Sequence, residues 1–250
     1  MHLTVASYNI HRGTGLDRRL DLDRIARVIL EITPDVIGLQ EVVRGTGSDH
    51  ADQAGYLAVR LGMQLVMGIT RADRDGARGN AVLTRLPVLG SAGFDLSRGR
   101  REPRGGLRVD VNVNGRLVHV FNCHFGLGVR ERTEQIDLLL RVLRGSTELG
   151  GPRMLMGDFN EWHRGPVTRR LRREFASPVP GMRRTHPALF PLFRLDRIYW
   201  DAELGADAFH VHGSRLARVA SDHLPVVARL RVGPPVGSGS SLPRRSAPRR

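Results

Sequence analysis

The sequence contains no lysine, so all 39 residues counted as Lys+Arg are arginines. A lysine Schiff base and a lysine general base are therefore excluded, because arginine does not give up its proton. The single cysteine, Cys123, cannot form an internal disulfide and predicts a reducing, cytoplasmic setting. Aromatic residues make up only 5% of the chain, so a long platform of base-stacking rings is not expected.

Long apolar segments are absent as well. No run of apolar residues approaches the ~20 that span a membrane, and the first residues lack the basic and then apolar stretches of a secretory signal. With 40% hydrophobic and 26% charged residues over 250 positions, the composition is that of an ordinary globular protein. A collagen, a disulfide knot and a chain that is disordered throughout are excluded.

The net charge is strongly positive, at +14. A basic protein attracts polyanions such as nucleic acid, anionic lipid head groups or phosphorylated metabolites, although an arginine-biased composition with no such partner gives the same value. Residues 233–250 are rich in Gly, Pro, Ser and Arg and hold four arginines in the last seven positions. They predict a flexible basic tail, which leaves residues 1–232 as the folded domain.

Strand and helix patterns alternate along this domain. The segment from Asn114 to Gly115 predicts a two-residue type I′ turn between two strands. Apolar runs and periodicity predict strands at 3–10, 35–39, 64–69, 81–84, 107–113, 116–123, 154–156, 195–200 and 225–232, and helices at 22–32, 131–143 and 166–175. Strand-rich segments separated by helices predict two packed sheets with helices on the outside.

Polar residues with chemical potential follow or precede the apolar strands. Strand ends are where a rigid sheet holds side chains together, so we expect these residues to meet at one rim. They are Asn9, Glu41, His124, Asp158, Asn160, Asp196, Asp222 and His223.

Their chemistry is that of a hard divalent cation and a phosphoryl group. The oxygen donors of Asn9, Glu41 and Asp222 suit Mg²⁺ or Mn²⁺, and a thiolate zinc site is unexpected with one cysteine. A histidine can protonate or polarise a phosphoryl oxygen, and an aspartate can activate water. Each residue alone also fits a capping or solvent-facing role, and the joint pattern favours the site.

The segments that hold these residues resemble the endonuclease/exonuclease/phosphatase superfamily. The matching segments appear in the family's order from residue 7 to residue 226: Ser7-Tyr8-Asn9-Ile10, Leu39-Gln40-Glu41-Val42, Gly79 to Arg85, His124-Phe125, Gly157-Asp158-Phe159-Asn160 and Ser221 to Val226. The resemblance implies a four-layer α/β/β/α sandwich of two mixed sheets with outer helices, and a metal-assisted, in-line attack of water on phosphorus.

The resemblance also implies a role for each residue. Glu41 matches the main Mg²⁺ ligand, with Asn9 and Asp222 as further ligands, and Mn²⁺ is the expected substitute. Asp158 matches the residue that orients or deprotonates water. The remaining matches are Asn160, the amide on a phosphate oxygen; His223, the histidine on the scissile phosphate; Asp196, its carboxylate partner; and His124, a second phosphate-contacting histidine.

One departure concerns His124. Some nuclease members orient the matching histidine with an acid on the strand that corresponds to residues 79–85. This chain has no carboxylate there, so its sequence leaves the charge of His124 open.

The substrate is not readable from these motifs, because one catalytic machinery serves many substrates. The loop from Leu96 to Arg108 is rich in arginine and is either a phosphate-binding loop or a solvated arginine face. Arg104 is the predicted phosphate-binding residue. The apolar loop 186–193 either contacts a lipid or a base, or packs on the core. Nucleic acid is the favoured substrate. Phospholipid head groups or inositol phosphates are the alternative, and a catalytically silent binding module is a third possibility.

Overall fold

The computed structural model describes residues 1–45, 52–73, 76–175 and 183–233, so nearly all of the predicted tail lies outside the described residues. The strands are β1 His2–Asn9, β2 Val36–Gly45, β3 Gln64–Asp73, β4 Gly76–Thr84, β5 Val88–Asp95, β6 Gly105–Val113, β7 Arg116–His124, β8 Arg153–Asp158, β9 Asp196–Trp200, β10 Leu204–Val211 and β11 Val226–Val232. The helices are α1 Leu22–Ile32, α2 Gln53–Leu61, α3 Val129–Gly145, α4 Pro166–Glu174 and α5 Ala217–Ala220.

The strands form two mixed sheets. A six-stranded sheet has the order β10-β11-β1-β2-β4-β3, and a five-stranded sheet has the order β5-β6-β7-β8-β9. Within the described strands, only β1/β2 and β7/β8 pair in parallel. A parallel pair needs a long crossover, and α1 and α3 supply these two connections.

Three apolar layers hold the sheets and helices together. Helices α1, α2 and α5 cover the outer face of the six-stranded sheet, where Ile29 belongs to the same buried cluster as Tyr8. The two sheets enclose a second cluster, which includes Val5 and Met154. Helices α3 and α4 cover the five-stranded sheet, with Leu139 in a cluster with Phe121. The predicted α/β/β/α sandwich is confirmed.

Local signals set the ends of α1. The side chain of Asp21 accepts a hydrogen bond from the backbone N–H of Arg24 at 2.8 Å, which caps the first turn. At the other end, Thr33 takes a left-handed conformation immediately before Pro34. Since proline cannot continue a helix, the chain turns directly into β2. This short connection fixes where β2 begins and therefore where its polar end lies.

A glycine sets the close approach of the two sheets. A Cβ atom on Gly38 of β2 would lie 2.8 Å from Asn122 Cγ and from Met156 Sδ, both of the opposite sheet. Two residues further along β2, Gln40 donates a hydrogen bond to Asn122 Oδ1 at 2.7 Å. The interior between the sheets therefore changes from apolar to polar toward this end, which is the rim predicted from the strand ends.

Candidate active site

The strand register brings three predicted residues side by side. Asp158 at the end of β8 is the ladder partner of His124 in the parallel strand β7. It is also the partner of Asp196, the first residue of the antiparallel strand β9. Alternation along β7 points Val120, Asn122 and His124 toward the space between the sheets, because side chains two residues apart share a face. The rim of the five-stranded sheet is therefore polar.

Asp158 lies at the centre of the group and is 1% exposed. Its Oδ1 accepts a hydrogen bond from the backbone N–H of Asn160 at 2.9 Å, and its Oδ2 accepts one from Asn9 Nδ2 at 3.1 Å. The same Oδ2 lies 3.5 Å from His124 Nε2 and 3.7 Å from His223 Nε2. The carboxylate of Asp158 therefore faces both imidazoles.

His223 is paired with Asp196 across the gap between the sheets. Its Nδ1 is 2.8 Å from Asp196 Oδ2, and both side chains are buried. Burial lowers the pKa of the ring, but the carboxylates of Asp196 and Asp158 outweigh this effect and raise the pKa to about 10. His223 is therefore an imidazolium at neutral pH.

His124 has the opposite environment. Its Nδ1 lies 3.1 Å from Arg104 Nη1, and a guanidinium can only donate, so this nitrogen is the acceptor and the proton is on Nε2. Desolvation by burial lowers the pKa of the ring to about 3. The charge of Arg104 also lowers the pKa, and the charge of Asp158 opposes this change. His124 is therefore neutral. Residues 79–85 supply no carboxylate to this histidine, and its neighbour is instead the cation of Arg104.

Asn160 lies beside the other ring nitrogen of His124. Its Nδ2 donates to the carbonyl of Phe125 at 2.9 Å and lies 3.1 Å from His124 Nε2. Asn160 itself has a left-handed backbone with φ of 48°, a conformation that asparagine tolerates better than most residues. The turn after β8 therefore bends the amide back over the rim.

Of the three predicted metal ligands, Asn9 and Glu41 lie on strands of the six-stranded sheet, and Asp222 lies just before β11 of the same sheet. Glu41 has a φ of 55° within the bulge between Leu39 and Val42, which turns its side chain out of the normal alternation. Its carboxylate oxygens are 3.5 Å from Asn9 Nδ2 and 3.5 Å from Arg12 Nε, so both contacts are long. The carboxylate keeps acceptor capacity for a further partner.

Asn9 and Asp222 are connected through Ser221. The hydroxyl of Ser221 donates to the backbone carbonyl of Asn9 at 2.8 Å and lies 3.3 Å from Asp222 Oδ1. The amide oxygen of Asn9 accepts from the backbone N–H of His11 at 3.0 Å, and a carbonyl oxygen has a second lone pair. These carboxylate and amide oxygens are the donor set that a hard divalent cation takes.

Two groups of acidic and histidine side chains have ligand atoms within 4.8 Å of one another among the described residues. One is Asp158, Asp196 and His223, and the other is His186, Asp222 and His223. Glu41 belongs to neither group and stands beside Asn9. The rim therefore holds acidic and imidazole groups able to bind a metal ion.

Sequence reasoning missed His186. Its ring centroid lies 4.7 Å from that of His223, and its Nε2 is 3.8 Å from Asp222 Oδ2. His186 belongs to the apolar loop 186–193, and no periodicity marks it. Part of this loop packs on the core and part of it faces solvent: Ala188 is buried, whereas Phe190 is 75% exposed.

The arginine-rich segment 96–108 also contains residues that face the rim and residues that do not. Arg98, Arg101 and Arg108 each lie within 3.7 Å of a carboxylate away from the rim, those of Glu134, Glu131 and Asp110. Arg104 instead reaches His124, and Glu102 Oε2 holds its guanidinium at 2.7 Å.

A cleft of about 580 Å³ opens beside Glu41. Arg104 and His124 line one part of it, and Arg12 and Arg78 line another. Arg12 follows the first motif directly, but Arg78 is brought there by β4 and carries no signal in the sequence. The cleft gives the rim a cationic approach.

A two-sheet sandwich with carboxylates, imidazoles and amides at one rim defines a phosphoester hydrolase. The protein belongs to the Endonuclease/Exonuclease/phosphatase family, whose model matches residues 6–223. The enzyme class predicted from the sequence is thereby confirmed.

Known proteins resemble the chain over nearly all of its length. It is 32% identical over 243 residues to the uncharacterized protein YbhP of Escherichia coli (strain K12), covering 90% of this chain and 95% of that protein. An endonuclease/exonuclease/phosphatase structure from Beutenbergia cavernae DSM 12333 has a TM-score of 0.75 at 27% identity, over 93% of this chain and 72% of that chain. The mannosyl-6-phosphatase of Bacteroides thetaiotaomicron VPI-5482 has a TM-score of 0.72 at 21% identity, over 92% and 99% of the two chains, and so shows the fold alone.

No helix among the described residues combines the length and the apolar character that crossing a membrane requires.

Proposed function

We propose that this hydrolase is a Mg²⁺-dependent phosphodiesterase whose favoured substrate is nucleic acid. The observation that carries the proposal is the position of Asp158, whose carboxylate faces an imidazolium and a neutral imidazole within 3.7 Å. A base and an acid are thus set side by side at one rim, which is the arrangement that hydrolysis of a phosphodiester by water requires.

Glu41, Asn9 and Asp222 are the residues that would hold Mg²⁺, because their oxygens form its preferred donor set. When bound, the ion neutralises charge on the phosphoryl oxygens and orients the phosphate. Mn²⁺ is the expected substitute, since it favours the same oxygen ligands.

The remaining steps are assigned to the chain's own groups. Asp158, held by two hydrogen bonds, orients the attacking water and takes its proton, while the bond from phosphorus to the leaving oxygen breaks as the new P–O bond forms. His223 donates a hydrogen bond from its protonated ring to a phosphoryl oxygen, and Asp196 retains the proton on the other nitrogen. His124 and Asn160 contribute neutral N–H donors, which stabilise the charge that develops on phosphorus-bound oxygens.

Two other readings differ from the proposal in what they require. A silent binding module does not require a complete set of acid, base and metal ligands, and the presence in this chain of a residue for each of these proposed roles supports an active enzyme. A phospholipid or inositol phosphate would be attracted by the same positive field, so substrate assays must separate it from nucleic acid. The predicted cytoplasmic setting and the boundary of the tail at residue 233 remain predictions.

The test is the hydrolysis of bis-p-nitrophenyl phosphate with Mg²⁺, Mn²⁺ or EDTA. We expect EDTA to abolish turnover and Glu41→Gln to lower it at least a hundredfold, because an amide replaces the main charged ligand. Glu148→Gln, at an exposed acid on the turn after α3, is the matched control and should behave as the unaltered protein. Turnover in EDTA, or full activity of Glu41→Gln, would contradict the mechanism. Plasmid DNA, short RNA and phospholipid vesicles assayed in parallel then identify the substrate.

A further inference from the structure

A second cleft, here named the Trp162 cleft, lies beyond Asn160. Its walls include Trp162, Arg164, Arg172, Arg184, Leu192 and Arg194. The chain enters it two residues after Asn160, the residue proposed to hold a phosphate oxygen. The cleft is distinct from the one beside Glu41, since the two have no lining residue in common.

A row of rings leads from the catalytic rim into this cleft. The centroids of His223 and His186 are 4.7 Å apart, those of His186 and Phe193 are 6.4 Å apart, and those of Phe193 and Trp162 are 4.9 Å apart. Neighbouring rings in the row are tilted by 28° to 47°. Trp162 ends the row and is 55% exposed. A planar ligand group that leaves the rim on this side therefore meets an aromatic surface.

The charge of the cleft is unbalanced. Four of its arginines, at 164, 172, 184 and 194, have no carboxylate within 4.0 Å in the part of the chain that the structure describes. The acid that lines the cleft is Glu161, which is 3% exposed. Glu161 already accepts hydrogen bonds from the backbone N–H groups of Val167 and Thr168, and Arg197 pairs with it at 3.2 Å.

The arginines of the cleft contrast with those of the loop before β6, where Arg98 and Arg101 form ion pairs with acids on α3. Guanidinium groups that have no counterion among the described residues, gathered around an aromatic wall, form a site for an anion that also carries planar groups. Single-stranded nucleic acid has this chemistry, with phosphates for the arginines and bases for the rings.

We propose that the Trp162 cleft binds the single-stranded polynucleotide segment adjacent to the cleaved phosphodiester, with a base stacked on Trp162 and phosphates held by the surrounding arginines. The proposal rests on the proposed function, because it names the substrate class of the same rim. The low aromatic content does not oppose it: a short row needs few rings, and the row draws on rings that three separate segments bring together.

A membrane surface is the competing occupant. The tip of loop 186–193 exposes Phe190 and Leu189, and neither residue lines the Trp162 cleft. Insertion into a bilayer requires a projecting apolar surface, whereas Trp162 shares a concave site with four cations. The observations therefore favour a strand that enters the cleft.

The experiment measures binding and hydrolysis separately. Labelled single-stranded oligonucleotides of eight thymidines or eight uridines are titrated onto the full chain in EDTA, by fluorescence anisotropy and by tryptophan quenching. Trp200, the other tryptophan of the sequence, is 3% exposed, so quenching reports on Trp162. The variants are Trp162→Ala, Trp162→Phe and the double variant Arg172→Gln/Arg194→Gln, and hydrolysis of bis-p-nitrophenyl phosphate is measured with Mg²⁺ in each.

We expect Trp162→Ala to raise Kd about 5- to 100-fold and Trp162→Phe to retain most of the affinity, as for a stacking ring. The double arginine variant should weaken binding and reduce the slope of log affinity against log salt by about 1.4, or roughly 0.7 for each phosphate contact. Hydrolysis of the small substrate should be unchanged. Arg27→Gln/Arg229→Gln removes two exposed charges elsewhere and should leave both measurements unchanged.

The proposal is overturned if Trp162→Ala binds oligonucleotides as tightly as the unaltered protein, or if the control variant weakens binding equally. It is also overturned if the cleft variants lose hydrolysis of the small substrate in proportion, since the change then lies in the centre itself. Tighter binding to phosphatidylserine vesicles, lost in the same variants, would assign the cleft to a membrane. Failure of the unaltered protein to hydrolyse the small substrate refutes the proposed function alone, and the EDTA titration still decides the cleft.

Discussion

Two histidines face the same carboxylate oxygen, and they differ in charge. His124 Nε2 and His223 Nε2 lie 3.5 Å and 3.7 Å from Asp158 Oδ2, and both side chains are at most 7% exposed. Burial lowers the pKa of each ring. The difference comes from the second nitrogen: Asp196 faces that of His223, and Arg104 faces that of His124.

The group that faces the second nitrogen thus adds to the effect of burial on the pKa of His124 and opposes it at His223. The two partners also come from different parts of the fold. Arg104 directly precedes β6, whose first residue pairs with His124, so this contact lies within one sheet. Asp196 belongs to the five-stranded sheet, whereas His223 precedes β11 of the other sheet. The charge of His223 therefore depends on how closely the sheets approach.

Removing the carboxylate beside His223 should have the largest effect on the difference between the two histidines. We expect Asp196→Asn to lower kcat for bis-p-nitrophenyl phosphate by about 10²- to 10⁴-fold, the range for loss of a general acid. The neutral amide no longer stabilises the imidazolium, so the pKa of His223 should fall from about 10. Steady-state kinetics and histidine ¹⁵N NMR measure the two effects.

The chain offers a matched control in a second aspartate–histidine pair. Asp207 Oδ2 lies 2.7 Å from His2 Nδ1 at an exposed site. Asp207→Asn should leave kcat unchanged, since the pair is on the surface and touches none of the rim residues. A loss of activity below threefold in Asp196→Asn would show that His223 does not need its charge.

Removing the cation beside His124 should bring the pKa values of the two histidines closer together. Arg104→Gln removes the cation beside His124 and the donor that fixes its tautomer, so we expect the pKa of His124 to rise from about 3. Activity should fall roughly tenfold, the loss of about 1.4 kcal/mol of transition-state stabilisation. Arg101→Gln is the control, because its guanidinium pairs with Glu131 and does not face the rim.

The lowered pKa of His124 should also make the stability of the fold depend on pH. The folded pKa of His124 is about 3 and its ordinary value is 6.5, so the unfolded chain takes up a proton first as the pH falls. Stability is therefore lost between pH 6.5 and pH 3. If Arg104→Gln raises the pKa of His124 in the folded protein, stability is lost over a narrower pH range. The Tm of this variant should therefore decline less steeply from pH 6.5 to pH 4 than that of the unaltered protein. An equal slope in both proteins would contradict the assignment.

The sequence predicts the polar rim and the layers, but not the partners that set the charges. Asp158 and Asn160 follow an apolar strand, so their place was readable from local pattern. The contact between Arg104 and His124 arises from strand pairing, and that of His186 with His223 from a loop with no periodicity.

Some elements were also unpredicted, for related physical reasons. Strands β5 and β10 lie at sheet edges, and their mostly exposed residues lack the apolar pattern of a buried strand. Helix α2 exposes Val59 by 85%, which breaks its apolar face. The left-handed backbone of Glu41 follows from a bulge that register, not composition, determines.

Gly38→Ala is the mildest change, and it tests whether the charge of His223, unlike that of His124, depends on the distance between the two sheets. In Gly38→Ala the added Cβ would lie 2.8 Å from atoms of Asn122 and Met156, so the sheets must separate slightly. We expect a loss of about 1–3 kcal/mol in the free energy of unfolding, as for an overpacked core. The His223–Asp196 contact spans the sheets and should weaken, whereas His124–Arg104 lies within one sheet and should not. Histidine NMR should therefore show a lower pKa for His223 and an unchanged His124. Gly145→Ala, where a Cβ meets nothing within 4 Å, is the control, and equal shifts of both histidines would mean that the rim responds as one unit.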